Sequence, residues 1–275
     1  MASENKVPFQ ILSDLHLEFG SGYDTFEIPP RAPYLCLLGD IGLCKDTKLF
    51  EFLSRQVAKF KIVFFLLGNH EAYSSSYPAA KKHVLEFQKK CVETRRQIGP
   101  EAIGEFVFLD QGRYDIADSQ VTVLGCTLFS HVTPEQYEHV SYRLNDFYRI
   151  VDWTVNSHNA AHKADVEWLE NELEKIRTES PERQVVIFSH HSPTMLSETI
   201  DPRHKDSTIS SGFCTDLVPG KLKLAEQVKL WASGHTHFNF DVTVERIRLY
   251  SNQRGYVFEA HALERHFDVE AVVCI

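Results

Sequence analysis

Five short apolar segments of the chain each end in an aspartate, an asparagine or a histidine. The ends read Ser-Asp-Leu-His from residue 13, Leu-Gly-Asp from residue 38, Leu-Gly-Asn-His-Glu from residue 67, Phe-Ser-His-His from residue 188 and Ser-Gly-His-Thr-His from residue 233. Short apolar runs bounded by turn residues are typical of buried strands. When such strands lie parallel, their carboxyl ends meet in one crevice, where open α/β sheets bind ligands. We therefore expect a sheet that collects these side chains in one site.

Other apolar runs predict the rest of the framework. Buried strands are expected at Phe9–Leu12, Tyr34–Leu38, Ile62–Leu67, Val121–Leu124, Val185–Phe188 and Leu230–Ala232. Strand and helix alternate over the first 70 residues, which favours a parallel α/β unit. Residues 241–258 instead alternate apolar and polar side chains, as antiparallel strands do. The sheets are therefore predicted to be mixed.

Amphipathic helices are predicted between the strands, at Thr47–Phe60, Pro78–Ile98 and His158–Arg177. The second repeats apolar residues at three- and four-residue steps, as in Val84, Leu85, Phe87 and Val92. The third has Asn156 or Ser157 available as its N-cap. The polar stretch Ser197–Gly220 is too long for an ordinary connection, which makes it a candidate binding loop or lid.

Composition excludes several classes of protein. With 43% hydrophobic and 24% charged residues, the chain is neither disordered nor fibrous. Its longest apolar run, Ile62–Leu67, is far short of the roughly 18 residues of a membrane helix, so no membrane insertion is expected. A net charge of −9 argues against extended nucleic-acid binding. Six cysteines without a Cys-x-x-Cys pair are interpreted as reduced and structural, which favours a cytoplasmic location.

The strand ends together offer metal-binding chemistry. Apart from His70 and His191, they carry two aspartates, one asparagine and four histidines, and carboxylate with imidazole suits Mn, Fe or Zn. This is too many ligands for one tetrahedral ion but fits two ions that share a bridging carboxylate. A single Asp-x-His or a lone histidine at a strand end is usually no more than hydrogen-bonded. Five matches in order, each after an apolar run, instead favour a dinuclear centre.

The ordered set resembles the calcineurin-like metallophosphoesterases, whose pattern is D-x-H, G-D, G-N-H-[ED], H and G-H-x-H. All five blocks are present, between Asp14 and His237. The resemblance continues outside these blocks, where the chain is similar to a compact, mostly bacterial-type branch of phosphoesterases. The stretches that carry it begin at Gly125, Asn145, Phe213 and Asn252.

This resemblance implies an α/β fold, a four-layer sandwich of two mixed β-sheets packed face to face and flanked by helices, with residues 1–275 as a single domain. It implies a first metal site of Asp14, His16, Asp40 and His237. A second site would consist of Asp40, Asn69, His190 and His235, with Asp40 bridging the two ions. Of the adjacent histidines, the family pattern favours His190 over His191 as the ligand.

Differences between this sequence and the motifs of individual subclasses restrict the type of phosphoesterase that the resemblance implies. Protein Ser/Thr phosphatases of this superfamily read Gly-Asp-x-Val-Asp-Arg-Gly and carry a second arginine after Asn-His. Here Asp40 is followed by Ile41, Gly42 and Leu43, and His70 by Glu71 and Ala72. The arginines that clamp a phosphomonoester dianion are therefore missing from those positions. Leu43 also stands where purple acid phosphatases have a tyrosine ligand.

The resemblance implies a phosphoesterase in which a hydroxide held between the metals attacks phosphorus in line. Asp40 and His70 would be catalytic, with His70 as the acid near the leaving group. Small phosphodiesters are the expected substrates, because the clamp for a dianion is missing. A phosphomonoesterase and a nucleotide pyrophosphohydrolase remain alternatives, and net charge disfavours a nuclease. A non-catalytic metal-binding scaffold is a remote alternative, because such scaffolds tend to lose ligands and this chain has them all.

Several residues outside the proposed ligand set are candidates for contact with a small phosphoester substrate. They are His131, Asn145, Asp146, Arg149, His191, His204, Phe238 and Arg254. Asp146 and Arg149, three residues apart, are equally consistent with a surface ion pair. Arg254 could equally brace a turn, and His191 could pack or hydrogen-bond at the rim. The sequence leaves the natural substrate, the metal pair and any homo-oligomer open.

Overall fold

Two β-sheets form the framework of the computed structural model, which describes residues 6–220, 226–258 and 266–275. Among these residues the first sheet contains β1 (Pro8–Leu12), β2 (Tyr34–Leu38), β3 (Ile62–Leu66), β4 (Glu105–Phe108) and β11 (Val272–Cys274). The strand order is β11-β1-β2-β3-β4, with β1 to β4 parallel and β11 antiparallel to β1. The carboxyl ends of β1, β2 and β3 therefore meet at one edge.

The second sheet has four parallel strands at its centre. Its strands within the described residues are β5 (Gly112–Asp115), β6 (Val121–Cys126), β7 (Gln184–Ser189), β8 (Val228–Ala232), β9 (Phe240–Val244) and β10 (Ile247–Ser251). In the order β5-β6-β7-β8-β10-β9, both edge strands are antiparallel to their neighbours. The predicted mixed sheets are confirmed, and so are the six predicted buried strands.

The two sheets pack face to face through aromatic and aliphatic side chains. The Phe9 ring of the first sheet lies edge-on to Phe188 of the second, with ring centroids 5.8 Å apart. Phe64 lies 6.4 Å from the same ring. All six cysteines are free, and burial raises the pKa of the Cys36 and Cys126 thiols. These cysteines pack as small apolar residues, as predicted.

Helices cover the outer faces of both sheets. Their bounds are α1 (Gly22–Thr25), α2 (Thr47–Val57), α3 (Tyr77–Ile98), α4 (Tyr137–Arg143), α5 (Asp146–Arg149) and α6 (Val155–Glu179). Helices α2 and α3 bury Phe52 and Val84 in the core on the first sheet, and α6 buries Leu169 and Leu173 on the second. The result is the predicted four-layer α/β fold. Within the described residues, no helix is both long and apolar enough to cross a membrane.

The apolar face of α3 is shorter than its sequence predicts. Leu85 and Val92 are 44% and 50% exposed, whereas Val84 and Phe87 are buried. Leu85 follows Val84 by one residue, which rotates it about 100° away from the sheet. The buried residues of α3 end at Phe87, so the predicted burial of Val92 was wrong.

Helix α6 begins earlier than predicted, and its N-cap is Thr154 rather than Asn156 or Ser157. Thr154 has extended backbone, and the Ser157 N–H donates to its Oγ1 at 3.1 Å. A threonine in this conformation satisfies one of the unpaired N–H groups of the first turn. The sequence offered three neighbouring polar residues, and only backbone geometry distinguishes them.

Replacing this cap should destabilise the fold measurably. Thr154→Ala removes the acceptor for the Ser157 N–H, so we expect the free energy of unfolding to fall by about 1 kcal/mol. Urea denaturation followed by circular dichroism measures this change. Thr178→Ala, in the exposed last turn of α6, is the matched control and should change it by less than about 0.5 kcal/mol. Equal effects of the two substitutions would contradict the capping role.

Candidate metal centre

The five motif ends converge at the carboxyl ends of β1, β2, β3, β7 and β8. Three overlapping groups of side chains there could hold a metal ion, with ligand atoms within 4.8 Å of one another. The groups are Asp14, His16 and His237; His16, Asp40 and His70; and Asp40, His190 and His235. The sheets thus bring together all the side chains that the sequence motifs predicted.

Left-handed backbone directs five of these side chains inward. The φ angles are 52° for Asp14, 48° for His16, 53° for Asp40, 69° for His235 and 53° for His237. Such angles are uncommon in residues other than glycine and persist only where the surroundings hold them. Backbone hydrogen bonds do so here, from the N–H of Asp14 to the Gly39 carbonyl and from that of His16 to the Asp40 carbonyl, both at 3.0 Å.

Glycines allow the strand ends to approach each other. A Cβ atom on Gly68 would lie 2.7 Å from both the Asp40 backbone nitrogen and the His190 ring. One on Gly234 would lie 2.5 Å from a carboxylate oxygen of Asp14. Both distances are shorter than nonbonded contacts allow. These two glycines are therefore required for the close backbone approach at the strand ends.

The buried carboxylate of Glu71 joins the ends of β2 and β3. It accepts hydrogen bonds from the backbone N–H groups of Asp40 at 2.9 Å, Ile41 at 2.8 Å, Gly42 at 3.4 Å and Gly68 at 2.8 Å. Burial raises the pKa of Glu71, and the backbone donors oppose that effect. The sequence motif included Glu71 but gave no indication that it binds both loops.

The contacts of His190 show why the second predicted ligand set, Asp40, Asn69, His190 and His235, suits a cation. Its Nδ1–H donates to the Leu38 carbonyl at 2.9 Å, so the neutral ring has a lone pair on Nε2. That lone pair faces Asn69 Oδ1 and His235 Nδ1, each at 3.1 Å, and Asp40 Oδ1 at 3.5 Å. Convergent electron pairs of this kind are what a metal ion satisfies.

The orientation of the Asn69 amide is fixed by a buried aspartate. Asn69 Nδ2 donates to Asp146 Oδ1 at 2.8 Å and to the Tyr73 hydroxyl at 3.0 Å. The Tyr73 hydroxyl in turn donates to Asp146 Oδ1 at 2.7 Å. Both amide protons are thereby used, which leaves Asn69 Oδ1 facing the ligands. Asp146 is 2% exposed, so the alternative of a surface ion pair with Arg149 was wrong.

The side chains of the first predicted ligand set, Asp14, His16, Asp40 and His237, converge in the same way. His16 Nδ1 donates to Glu18 Oε1 at 3.2 Å, and its Nε2 lies 3.0 Å from His237 Nε2. His237 Nε2 is also 3.3 Å from Asp14 Oδ1. Asp40 lies between the groups, with Oδ1 toward His190 and Oδ2 3.9 Å from His16 Nε2. One carboxylate therefore faces both sets.

The pKa shifts of the buried histidines and of Asp40 agree with a site that binds a cation. Burial lowers the pKa of both His16 and His190 to about 4, so the two rings are neutral at pH 7. Burial and the nearby carboxylates of Glu71 and Asp14 raise the pKa of Asp40 well above its usual range. A positive ion between the groups would offset that repulsion. The donor set thus fits metal ions.

His70 lies beside the ligands and is held on several sides. Its Nδ1 donates to Glu18 Oε1 at 2.7 Å, and its ring stacks on Tyr73 with centroids 4.2 Å apart. Its backbone N–H donates to Asp40 Oδ1 at 2.8 Å. Burial opposes ionisation of Glu18, but hydrogen bonds from His16 and His70 lower its pKa to about 2. Glu18, which the motif analysis did not single out, thus orients two site histidines.

A cavity of about 340 Å³ opens onto this centre. Asp40, Asn69, His235, His237 and His70 form one side of it, and residues between Thr199 and Cys214 line another. The latter belong to the predicted Ser197–Gly220 loop, which contains three short 3₁₀ helices. The predicted substrate contacts Asn145 and His204 also line the cavity.

Other predicted substrate contacts lie off the cavity wall. His191 is fully buried, among the rings of His235, His158 and Phe129, so it cannot reach a substrate in the cavity. The His191 ring lies 5.3 Å from the His190 ring and 4.1 Å from the His235 ring, and it is not part of the cavity wall. This corrects the predicted role of His191 as a substrate contact, whereas the alternative of packing agrees with its position, which is in the interior and not at the rim.

Four further candidates do not line the cavity. The Arg254 guanidinium lies 4.6 Å over the Phe26 ring and donates to the Leu15 carbonyl at 3.1 Å, which is the alternative role of bracing a turn. Phe238 packs against the apolar core of the second sheet. The cavity lining does not include these residues, nor His131 and Arg149, which are exposed on the surface.

The two mixed sheets and the carboxylate–imidazole centre at their strand ends define a metal-dependent phosphoesterase fold. The family model for calcineurin-like phosphoesterases matches residues 7–239, and the chain belongs to that family. The family is metal-dependent, in agreement with the ligand groups at the strand ends.

Individual relatives are distant. The uncharacterised protein L509 of Acanthamoeba polyphaga mimivirus is 25% identical over 273 residues, which cover 90% of this chain and 91% of that protein. The crystal structure of phosphopantetheinyl hydrolase from Mycobacterium tuberculosis has a TM-score of 0.67 and 13% identity, with 99% of this chain and 96% of that chain covered. It supports the fold. A protein assigned as a 5′-nucleotidase from Staphylococcus aureus has a TM-score of 0.48, 14% identity and coverage of 90% and 48%, which is too weak a likeness to inform fold or function.

Loss of the Glu71 carboxylate should weaken the whole centre. Glu71→Gln places an NH₂ group against backbone N–H donors, and each buried donor left without an acceptor costs about 1–3 kcal/mol. We expect the free energy of unfolding, measured by urea denaturation, to fall by about 2–4 kcal/mol. The exposed Glu86→Gln is the control and should change it by less than about 0.5 kcal/mol. A loss below about 1 kcal/mol for Glu71→Gln would show that the loops do not depend on this carboxylate.

Proposed function

We propose that this protein is a dinuclear-metal-dependent phosphodiesterase that hydrolyses small phosphodiesters. The observation that carries the proposal is the position of Asp40, whose two oxygens face the two ligand groups next to His70. Membership of the calcineurin-like phosphoesterase family supports the reaction class. The cavity beside the ligands offers space for a small ester.

The proposed ligands fall into two sets. Asp14, His16, Asp40 and His237 would hold one ion, and Asp40, Asn69, His190 and His235 the other. The distances among their donor atoms support this division, because within each set they lie close together. Mn, Fe and Zn all suit carboxylate and imidazole ligands.

The bound ions would activate water and offset the charge that develops on phosphoryl oxygens. His70, once its Nε2 is also protonated, would supply that proton, or a hydrogen bond, to the leaving oxygen. Glu18 holds the His70 ring through Nδ1, so that Nε2 faces the cavity side. Asp40, whose Oδ2 lies 3.9 Å from His70 Nε2, would keep the ions next to this group.

Charge matching supports a diester as the substrate. A diester carries one negative charge, which two metal ions can neutralise without an arginine clamp. Neither Cys44, which stands at the arginine position of the Gly-Asp-x-Val-Asp-Arg-Gly motif, nor Ala72 after the Asn-His-Glu sequence offers a positive charge. Arg203 lines the cavity, but its guanidinium is paired with Asp201, with an Nη2–Oδ2 distance of 2.6 Å.

A phosphomonoesterase is the second candidate, and Arg143 is the observation that favours it. Arg143 lines the same cavity, and its Nη1 donates to Thr208 Oγ1 at 3.2 Å. No carboxylate among the described residues forms an ion pair with it. Its charge is therefore available to a second negative charge of a monoester or a pyrophosphate.

The proposal also covers the cellular compartment and the kind of substrate. Six free cysteines favour a reducing compartment, and we propose the cytoplasm. We also propose a small-molecule partner rather than an extended nucleic acid, because the net charge is −9.

Metal content tests the two-ion assignment. The wild-type protein, loaded with Mn, Zn or Fe and desalted, should contain two ions per chain by plasma mass spectrometry. Asp40→Ala should retain less than about one, because the carboxylate belongs to both sets. Asp24→Ala, whose carboxylate is exposed and paired with Lys48, is the control and should retain both. Wild-type protein that never exceeds one ion would exclude the dinuclear centre.

Substrate comparison tests the reaction. With one metal loading, we expect kcat/KM for bis(4-nitrophenyl) phosphate to exceed that for 4-nitrophenyl phosphate by at least about tenfold, because the missing clamp penalises the dianion. Arg143→Gln should leave the diester rate within about twofold, as should the exposed control Arg149→Gln. A preference for the monoester that Arg143→Gln abolishes would establish the second candidate instead.

A further inference from the structure

Tyr256 is brought to the centre by a segment that pairs with the loop after β1. The Ser13 N–H donates to the Asn252 carbonyl at 3.1 Å, and the Arg254 N–H donates to the Ser13 carbonyl at 3.2 Å. The Gly255 N–H donates to the Asp14 carbonyl at 2.9 Å. This backbone pairing places Tyr256 directly beside the first ligand group.

The Tyr256 ring covers that ligand group. Its centroid lies 4.3 Å from the His16 ring and 4.8 Å from the His237 ring. Its hydroxyl lies 2.9 Å from His70 Nε2. Tyr256 also lines the cavity together with His70 and Asp40. A group bound between the ligands and His70 would therefore meet this hydroxyl.

The hydrogen-bond partners determine which atom is the donor. His70 Nδ1 donates to Glu18 at 2.7 Å, so Nε2 of the neutral ring is an acceptor. The Tyr256 hydroxyl therefore donates to Nε2. An oxygen of a bound phosphoryl group is a stronger acceptor because it is charged, and it would take over this donor.

We propose that Tyr256 is a catalytic residue that donates a hydrogen bond from its hydroxyl to the phosphoryl group of the substrate, a role that rests on the proposed phosphoesterase function. The phenol supplies a donor where the sequence lacks the clamp arginines. Because it is neutral, it stabilises developing negative charge without an added positive charge, which suits a singly charged diester.

Neighbouring aromatic rings fix the donor in position. Phe258 stacks on Tyr256 with centroids 5.2 Å apart, and Phe19 lies edge-on at 5.7 Å. Packing on both rings restricts the Tyr256 ring before substrate binds. A preorganised donor of this kind loses little freedom in the transition state.

Tyr256→Phe tests the proposal, because it keeps the ring and removes only the hydroxyl. In the metal-loaded protein we expect kcat for bis(4-nitrophenyl) phosphate to fall by on the order of ten- to a hundredfold, with KM within about twofold. Inorganic phosphate, titrated calorimetrically, should bind at least about fivefold more weakly. Metal content should stay at the wild-type value. Tyr148→Phe is the matched control, since Tyr148 is 65% exposed and its hydroxyl bonds to the Tyr142 carbonyl.

The outcomes separate this inference from the proposed function. Wild-type kcat and wild-type phosphate affinity in Tyr256→Phe would overturn the role of the hydroxyl. So would a loss of metal from that variant, because the tyrosine would then support the ligands instead of the substrate. If the wild-type protein hydrolyses no phosphoester, the proposed function fails, and unchanged phosphate binding in the variant still overturns the inference.

Discussion

The site depends on a buried carboxylate that two loops share. Glu71 accepts four backbone N–H groups, three from the loop after β2 and one from Gly68 after β3. These bonds hold Asp40 in left-handed backbone and bring its carboxylate between the two ligand groups. An unpaired N–H or an unpaired carboxylate in this position would cost several kcal/mol, on the order of a large part of a domain's stability. The geometry of the bridging residue is thus set by the fold.

Three of the proposed ligands are oriented by a partner outside the ligand groups. The Leu38 carbonyl binds Nδ1 of His190, Glu18 binds Nδ1 of His16, and Asp146 binds the amide of Asn69. Each partner uses the proton of its ligand and leaves the lone pair facing inward. Such partners raise the basicity of a ligand and fix its ring or amide plane. Metal affinity should therefore respond to these residues as well as to the ligands.

The convergence of the proposed ligands could be predicted from sequence because each follows a buried strand, and the parallel order of strands determines where strand ends meet. The strands themselves followed from short apolar runs. Asp146 could not be assigned in this way, since its spacing from Arg149 matches a common surface pair and only the packing of α5 buries it. His191 adjoins a proposed ligand, but its ring is buried against His158 and Phe129 and is not part of the cavity wall. Local sequence spacing therefore predicts the ligands better than the residues that orient them or contact the substrate.

Selectivity among ester substrates depends on a different part of the chain from the proposed ligands. Strand ends supply the ligands, whereas the wall opposite them comes from α4, α5 and the residues between Thr199 and Cys214. That wall carries the charge of Arg143, while the charge of Arg203 is offset by Asp201. With the exception of Asp146, which orients Asn69, substitutions in the wall can change the preferred ester group without moving a proposed ligand, because none of the proposed ligands lies on these segments. Substrate choice and phosphoester chemistry are therefore separable in this fold, and His70 with Tyr256 lies where the two parts meet.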